Sequence, residues 1–205
     1  MTIIHLIRHG ANDFLLSGHL AGRQKGVHLN NEGKEQVSQL ADYLKNLPIK
    51  AIFSSPLERT MQTAIPIADA LKLEVSQRYG LNEIDLGDWQ NKEIPKLKKL
   101  KIWQTVQYQP SRMRFPAGES FYEAQYRIVQ EIDQLICESD QDDMIVCVTH
   151  ADLIKLAVVY FIGMSIDTFQ RLEISPASIT SLEIKETNCL LKTLNFRVFP
   201  SLSGD

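Results

Sequence analysis

The hydrophobic positions of the chain follow two alternating patterns, short apolar runs typical of buried strands and longer amphipathic stretches typical of helices. Continuous β-branched runs predict strands over residues 2–8 and 51–54, and a later one that ends at Thr149. Amphipathic spacing predicts helices over about 32–46, 57–71, 121–138 and 152–162. This alternation predicts an α/β fold, a three-layer α/β/α sandwich with a mostly parallel central sheet.

Local signals mark where helices begin and where they are weakened. Asn30 or Asn31 can cap the helix that follows. Ser120 and Glu123 have the spacing of a capping box. Pro66 lies inside a predicted helix, where it removes a hydrogen bond or introduces a kink.

The remaining segments carry weaker patterns. Residues 11–30 contain three glycines and predict a long loop, which in a compact domain is often functional. Further strands are predicted over residues 73–76, 171–174, 178–184 and 190–196, with a hairpin turn near 186–188.

Residues 88–118 interrupt the alternation of strands and helices. Pro110, Pro116 and Gly118 divide this stretch, and a lysine-rich amphipathic piece covers residues 92–103. Its lysines fit either the solvent-facing side of a helix or a positive surface that lies over the pocket and attracts an anionic ligand. We expect residues 1–205 to form a single domain with a lid or insert at about 88–118. The lysines are Lys92, Lys96, Lys98, Lys99 and Lys101.

Composition and charge exclude several classes of protein. The 205 residues are 44% hydrophobic and 23% charged, with a formal net charge of −3, so nothing indicates a nucleic-acid-binding protein. No apolar run reaches about 18 residues, so we expect no membrane span. The three cysteines are odd in number and lack metal-ligand spacing, which favours reduced thiols in the cytoplasm.

Two histidines and an arginine follow predicted strands, at the point where each strand ends. Arg8 and His9 close the first strand, and His150 closes the strand that ends at Thr149. Ligands of open α/β sheets bind at the carboxyl ends of the strands. Arg59 comes shortly after another strand, and an arginine fork can meet two phosphate oxygens at once. These residues predict an anion site.

A bound phosphate ester assigns a task to each of these side chains. Neutral His9 can attack phosphorus and form a phosphohistidine, with Arg8 and Arg59 holding the phosphate and His150 donating to its oxyanion charge. The leaving alcohol needs a proton, for which Glu83 is the best candidate. Asp85, two residues away, is the alternative.

These residues lie in five ordered blocks that span about residues 3–184, and together the blocks resemble the histidine phosphatase superfamily, the phosphoglycerate-mutase-like group. Within it the chain is most similar to a short branch of probable phosphomutases, through Leu20-Ala21-Gly22-Arg23 with Gly26-Val27 and through Phe169-Gln170-Arg171 with Pro176-Ala177-Ser178. The resemblance implies His9 as nucleophile, Arg8, Arg59 and His150 as the phosphate pocket, Glu83 as proton donor, and no metal or other cofactor. The blocks are Arg8-His9-Gly10, Ser54-Ser55-Pro56-Leu57 with Arg59, Glu83 with Gly87 and Trp89, Gly118-Glu119-Ser120, and Thr149-His150.

The chain also departs from the family pattern beside the pocket. Asn12 stands where the family often has threonine or serine, Leu15 where it has asparagine, and Ala151 where glycine usually follows the second histidine. Asn12 either replaces the missing polar contact or leaves it unfilled. The residues expected to bind substrate are Arg8, Asn12, Ala21, Gly22, Arg23, Arg59 and Ala151.

The predicted function is a phosphatase that hydrolyses phosphate monoesters of small metabolites. A phosphomutase of the phosphoglycerate type and a non-catalytic module that binds a phosphorylated ligand remain as alternatives. A homodimer through an exposed sheet edge or the C-terminal strands is also open.

Overall fold

The structure is a computed structural model that describes residues 1–186 and 188–198, with all of their side chains except those of Leu15 and Leu16. The described residues form six strands: β1 (Thr2–Arg8), β2 (Ile49–Ser54), β3 (Val75–Gln77), β4 (Met144–Thr149), β5 (Ile179–Lys185) and β6 (Asn188–Phe196). They also form seven α-helices: α1 (Asp13–Ser17), α2 (Asn31–Leu44), α3 (Glu58–Leu71), α4 (Ile94–Leu97), α5 (Ile102–Tyr108), α6 (Phe121–Glu138) and α7 (Ala151–Phe161).

All six strands belong to one sheet in the order β3-β2-β4-β1-β5-β6. The first four run parallel, whereas β5 is antiparallel to β1 and β6 is antiparallel to β5. The mostly parallel sheet is therefore confirmed. Because β2, β4 and β1 are parallel neighbours, their carboxyl ends meet at one edge, where Arg8 pairs with Thr149 and Ser54 with Val148.

Helices cover both faces of the sheet. Ile4 and Leu6 of β1 pack in the hydrophobic cluster that includes α6 and α7, whereas Ile7 packs in the cluster of α2 and α3. Alternate residues of β4 divide between the same two clusters. A strand buried on both faces explains the continuous apolar runs in the sequence. The three-layer α/β/α sandwich is thus confirmed.

The predicted helix starts are also confirmed. Asn30 caps α2, since its side chain accepts a hydrogen bond of 2.9 Å from the backbone of Gly33. Ser120 and Glu123 form both hydrogen bonds of a capping box at the start of α6. Pro66 lies within α3, which continues to Leu71.

Several local predictions are wrong. The strand over residues 171–174 does not form: Arg171 ends a 3-10 helix, and the carbonyl of Ile174 accepts a side-chain hydrogen bond from Arg8 at 2.6 Å instead of a strand partner. The lysine-rich piece over 92–103 forms parts of two short helices, α4 and α5, and the loop over 11–30 contains α1.

Two further predictions are shifted or fall partly outside the described residues. The third strand covers Val75–Gln77 instead of residues 73–76, because its pairing with Ile52–Ser54 of β2 sets its extent. The hairpin turn near 186–188 includes Thr187, which lies outside the described residues. No helix in the described part of the chain is long and apolar enough to cross a membrane.

Candidate active site

His9 and His150 meet at the sheet edge where β1 and β4 end. Their rings lie edge to face with centroids 5.4 Å apart, and both residues are buried. The backbone N–H of His9 donates to the carbonyl of Thr149 at 3.1 Å. The parallel pairing of β1 with β4 therefore brings together two histidines that lie 141 positions apart in the sequence.

His9 presents one nitrogen to the site in its unprotonated form. Its Nδ1 lies 2.8 Å from the carbonyl oxygen of Gly10. A carbonyl only accepts hydrogen bonds, so Nδ1 carries the hydrogen and Nε2 carries the lone pair. Burial, followed by the charges of Arg59 and Arg8, holds the pKa of His9 well below its usual value. His9 is therefore neutral, with a free nucleophilic nitrogen.

The turn after His9 requires glycine because α2 passes close to it. A Cβ atom on Gly10 would lie 2.8 Å from the carbonyl oxygen of Gly33. The backbone N–H of Gly10 donates to Oγ1 of Thr63 on α3 at 3.1 Å. Two helices thus fix the backbone next to His9.

Two arginines from different elements bring positive charge to this edge. Arg59, buried in the first turn of α3, donates through Nη2 to the carbonyl of Gly22 at 2.7 Å. Arg8 donates through Nη1 to Ile174. Nη1 of Arg59 and Nε of Arg8 are buried and have no hydrogen-bond partner among the described residues. Buried polar groups are almost always paired, so these donors indicate an anion site.

His150 is held by partners on both ring nitrogens. Its Nδ1 lies 3.2 Å from Nη2 of Arg59, and its Nε2 lies 3.0 Å from Oγ of Ser55. Ser55 Oγ in turn donates to Oδ1 of Asn82 at 3.3 Å. Burial, then the nearby Arg59 and His9, holds the pKa of His150 well below its usual value. Ser55 belongs to one of the five ordered blocks, but no role for Ser55 or Asn82 was predicted from the sequence.

Glu83 brings a carboxyl group to the same edge. Its Oε1 accepts from the backbone of Ile84 at 2.9 Å, and its Oε2 lies 3.5 Å from Nδ1 of His150. Burial, reinforced by the negative charge of Asp152, raises the pKa of Glu83 to about 7, although Arg59 opposes the rise. Glu83 is therefore partly protonated at neutral pH, as a general acid must be.

Asp85, the alternative proton donor, makes its contacts with residues outside the pair of histidines. Its Oδ1 accepts from the backbone N–H of Gly87 at 2.9 Å, and its Oδ2 lies 3.5 Å from Arg23. It does not line the cavity, whereas Glu83 does.

A cavity of about 730 Å³ opens over Arg8, His9, Arg59 and Glu83, whereas the fully buried His150 is not among its lining residues. Asn12, Ala21 and Ala151 line it, as predicted for substrate contacts. Gly22 contributes its carbonyl to Arg59, and Arg23 donates to the carbonyl of Glu83 at 2.8 Å. Sequence reasoning missed the opposite wall, which the segment 170–176 forms with Asp152 and Lys155. The sequence signal for that wall was the string Phe169-Gln170-Arg171, which is similar to the short phosphomutase branch.

Residues 88–118 contribute to a second, smaller chamber on the far side of Glu83. This chamber measures about 160 Å³ and shares Glu83, Asp152 and Gln170 with the main cavity. Its apolar lining contributes to the burial of the Glu83 carboxyl. The five lysines of the lysine run are exposed, and none of them lines either space. Of the two interpretations of these lysines, the structure therefore favours the solvent-facing side of a helix over a positive surface above the pocket. The apolar residues are Leu20, Ile84, Leu86, Trp89, Trp103, Val106, Phe115 and Phe121.

Within the described residues, no group of three or more histidine, cysteine, aspartate or glutamate side chains could hold a metal ion. The expectation of a reaction without a metal stays a prediction.

Comparison with known proteins decides the family. The model of the histidine phosphatase superfamily (branch 1) matches residues 4–197. The chain belongs to this superfamily. It is 30% identical over 193 residues to the 2,3-bisphosphoglycerate-dependent phosphoglycerate mutase of Thermoplasma acidophilum, covering 90% of this chain and 88% of the relative. It is 26% identical over 200 residues to phosphoserine phosphatase 1 of Hydrogenobacter thermophilus, covering 95% and 92%.

The fold of the superfamily recurs in solved structures. Bacillus stearothermophilus YhfR superimposes with a TM-score of 0.89 at 21% identity, covering 96% of this chain and 98% of that one. Other relatives are longer. The chain is 25% identical to 6-phosphofructo-2-kinase/fructose-2,6-bisphosphatase 3 of Pongo abelii over 95% of its own length, but it spans 37% of that protein.

Proposed function

We propose that the protein is a phosphatase that hydrolyses phosphate monoesters of small metabolites through a phosphohistidine on His9. The observation that carries this proposal is the neutral His9, with Nε2 unprotonated, beside the buried Arg59 and the partly buried Arg8, each of which has one buried nitrogen without a partner among the described residues. A phosphate dianion placed between them meets a nucleophile and compensating charge at the same point.

In the first step, Nε2 of His9 forms a bond to phosphorus and the bond from phosphorus to the ester oxygen breaks. Arg8 and Arg59 bind the phosphoryl oxygens as charge moves onto them. His150 acts through Arg59: its Nδ1 accepts from Nη2 of Arg59 at 3.2 Å and so orients the guanidinium group that binds these oxygens, and its Nε2 is taken by Ser55 instead of donating to the phosphate as predicted. The protonated carboxyl of Glu83 gives its proton to the departing alcohol.

In the second step, water attacks the phosphorus of the phosphohistidine and the bond to Nε2 breaks. The carboxylate of Glu83 accepts the proton from that water and returns to its starting form. Phosphate leaves, and His9 is neutral again. The cycle consumes one ester and one water and releases one alcohol and one phosphate.

A phosphomutase is the second candidate, and the 30% identical relative named a phosphoglycerate mutase favours it. The two reactions share the phosphohistidine and differ in what attacks it, water or another hydroxyl group. The test is incubation with a panel of metabolite phosphates and with phosphoglycerate, scoring free phosphate against isomer formation. Release of phosphate as the main product supports the phosphatase, and isomer without phosphate supports the mutase.

The domain extent, the location, the oligomeric state and the substrate contacts are proposed from the sequence predictions. We propose a single catalytic domain over residues 1–205 with a lid or insert at about 88–118, a cytoplasmic location, and a homodimer through an exposed sheet edge or the C-terminal strands. For the substrate we propose contacts from Asn12, Ala21 and Ala151, whereas Gly22 and Arg23, also predicted as substrate contacts, hold Arg59 and the Glu83 carbonyl and do not line the main cavity. The positions of Asn12, Ala21 and Ala151 in the cavity lining support this. The side chain of Leu15, where the family pattern is broken, lies outside the described residues.

A further inference from the structure

The segment that carries Glu83 has no regular secondary structure of its own. Residues 83–86 are irregular and connect two 3-10 turns, Tyr79–Leu81 and Gly87–Trp89. A general acid must nevertheless be held within a fraction of an ångström of the leaving oxygen. Bonds from elsewhere in the chain must therefore fix this segment.

We infer that Arg23, Glu119 and Arg127, here called the arginine clamp, are positioning residues that hold Glu83 at the reacting bond. This inference rests on the proposed role of Glu83 as proton donor. The clamp is separate from the phosphate pocket, since none of its three residues lines the main cavity.

Arg127 of α6 supplies the largest part of the clamp. Its Nη1 donates to the carbonyls of Gly80 and Asn82, both at 2.8 Å, and its Nη2 donates to the carbonyl of Glu83 at 3.3 Å. One guanidinium group thus binds three carbonyls within four residues, which pins the backbone on both sides of Asn82. A lysine ammonium at this position lacks the planar fork that makes this possible.

Glu119 and Arg23 complete the clamp from the other side. Glu119 accepts from Nε and Nη2 of Arg127, both at 2.9 Å, and its Oε2 accepts from the backbone N–H of Asp85 at 2.9 Å. Arg23 donates to the carbonyl of Glu83 through Nε and pairs with Glu119 at 3.1 Å through Nη2. The Glu83 carbonyl therefore receives hydrogen bonds from two arginines.

Together with Asp85, the clamp pairs two arginines with two acidic side chains. Burial opposes ionisation of Glu119, but hydrogen bonds from Arg127 hold its pKa below the usual value, so Glu119 is a carboxylate. With Asp85 it offsets the two arginines behind Glu83. Removing the charge of Glu119 leaves both arginines less compensated and favours the carboxylate form of Glu83. The other charged or titratable groups facing Glu83 are Arg8, Arg59, His150 and Asp152.

The test measures kcat on two probes, p-nitrophenyl phosphate, which has a good leaving group, and glycerol 3-phosphate, which needs protonation. We expect Glu83→Gln to lower kcat on glycerol 3-phosphate by about 100-fold or more and to affect the aryl ester far less. We expect Arg127→Lys and Glu119→Gln each to lower kcat about tenfold on glycerol 3-phosphate and less than about twofold on the aryl ester. In Glu119→Gln, the decline of kcat with rising pH should also begin at a lower pH than in the wild-type protein.

Arg114→Lys is the matched control, because Arg114 pairs with Glu123 at the start of the same helix and does not reach the Glu83 segment. It should leave both substrates unchanged. Equal losses on both substrates for Arg127→Lys and Glu119→Gln, or no loss, while Glu83→Gln discriminates, would overturn the clamp alone. If Glu83→Gln itself fails to discriminate, both the proposed acid and the clamp are overturned.

Discussion

Nη2 of Arg59 lies 3.2 Å from Nδ1 of His150, and this contact sets the protonation pattern of the second histidine. A guanidinium group only donates hydrogen bonds, so Nδ1 accepts and the ring hydrogen lies on Nε2. That hydrogen points to Oγ of Ser55, 3.0 Å away. A buried chain of hydrogen bonds therefore runs from Arg59 through His150 to Ser55, directly after β2.

Ser55→Ala should weaken catalysis through this chain. The substitution leaves Nε2–H of His150 buried without an acceptor, which costs about 1–3 kcal/mol and lets the ring and Arg59 shift. We expect kcat to fall about tenfold, measured on p-nitrophenyl phosphate so that protonation of the leaving group does not dominate.

Ser54→Ala is the control for Ser55→Ala. Ser54 is equally buried, and its hydroxyl donates to the Ser55 carbonyl at 2.8 Å without contact to His150. The two variants should lose similar thermal stability. An equal loss of kcat in both would mean that the Ser55–His150 bond has no catalytic part.

Asp152→Asn should change the pH dependence of the reaction. The negative charge of Asp152 disfavours the carboxylate of Glu83 and so contributes to its pKa of about 7. Removing that charge lowers the pKa, so Glu83 loses its proton at a lower pH. On an alkyl phosphate, the decline of kcat with rising pH should therefore begin below that of the unmodified protein. The measurement is a kcat profile from pH 5 to 9.

Lys155→Met separates this effect from loss of an ion pair. Lys155 pairs with Asp152 at 3.3 Å, so its removal breaks the same contact but keeps the negative charge. Its pH profile should not move to lower pH. A downward shift in both variants would contradict the electrostatic explanation.

Gly10→Ala should disturb the nucleophile through packing alone. The new Cβ would lie 2.8 Å from the Gly33 carbonyl oxygen, so the turn after His9 or the start of α2 must move. Overpacking of this kind costs roughly 1–3 kcal/mol. We expect a lower melting temperature and a lower kcat, measured by thermal unfolding and steady-state kinetics. A variant with unchanged stability and activity would show that the contact with Gly33 is not restrictive.

Much of the fold could be predicted from the sequence because its signals are local. The run from Thr2 to Arg8 and the capping box at Ser120 need only neighbouring residues to be recognised. The predicted strand over 171–174 failed because strand formation depends on a partner, and there Ile174 binds the Arg8 side chain. Pairing is a property of the folded chain, and no local pattern carries it.

The candidate site also has a part that could be predicted from local patterns and a part that could not. His9, Arg59, Glu83 and His150 lie in recognisable motifs, and the sheet brings them to one edge. The hydrogen bonds from Arg127 to the Glu83 segment cross up to 47 residues of sequence and go to backbone carbonyls, which carry no side-chain signature. The cavity wall at 170–176 was missed because contacts distant in sequence set its position, such as that between the Ile174 carbonyl and Arg8.

The most direct test of the central claim is detection of phosphate on His9 during turnover. Rapid quenching with ³²P-labelled substrate, followed by peptide mapping under alkaline conditions, should yield an acid-labile phosphate on His9 that appears and decays at rates consistent with kcat. His9→Ala should abolish this label and turnover, whereas the exposed His28→Ala should keep both. Two results would contradict the account: turnover with no phosphate on His9, or full activity of the His9→Ala variant.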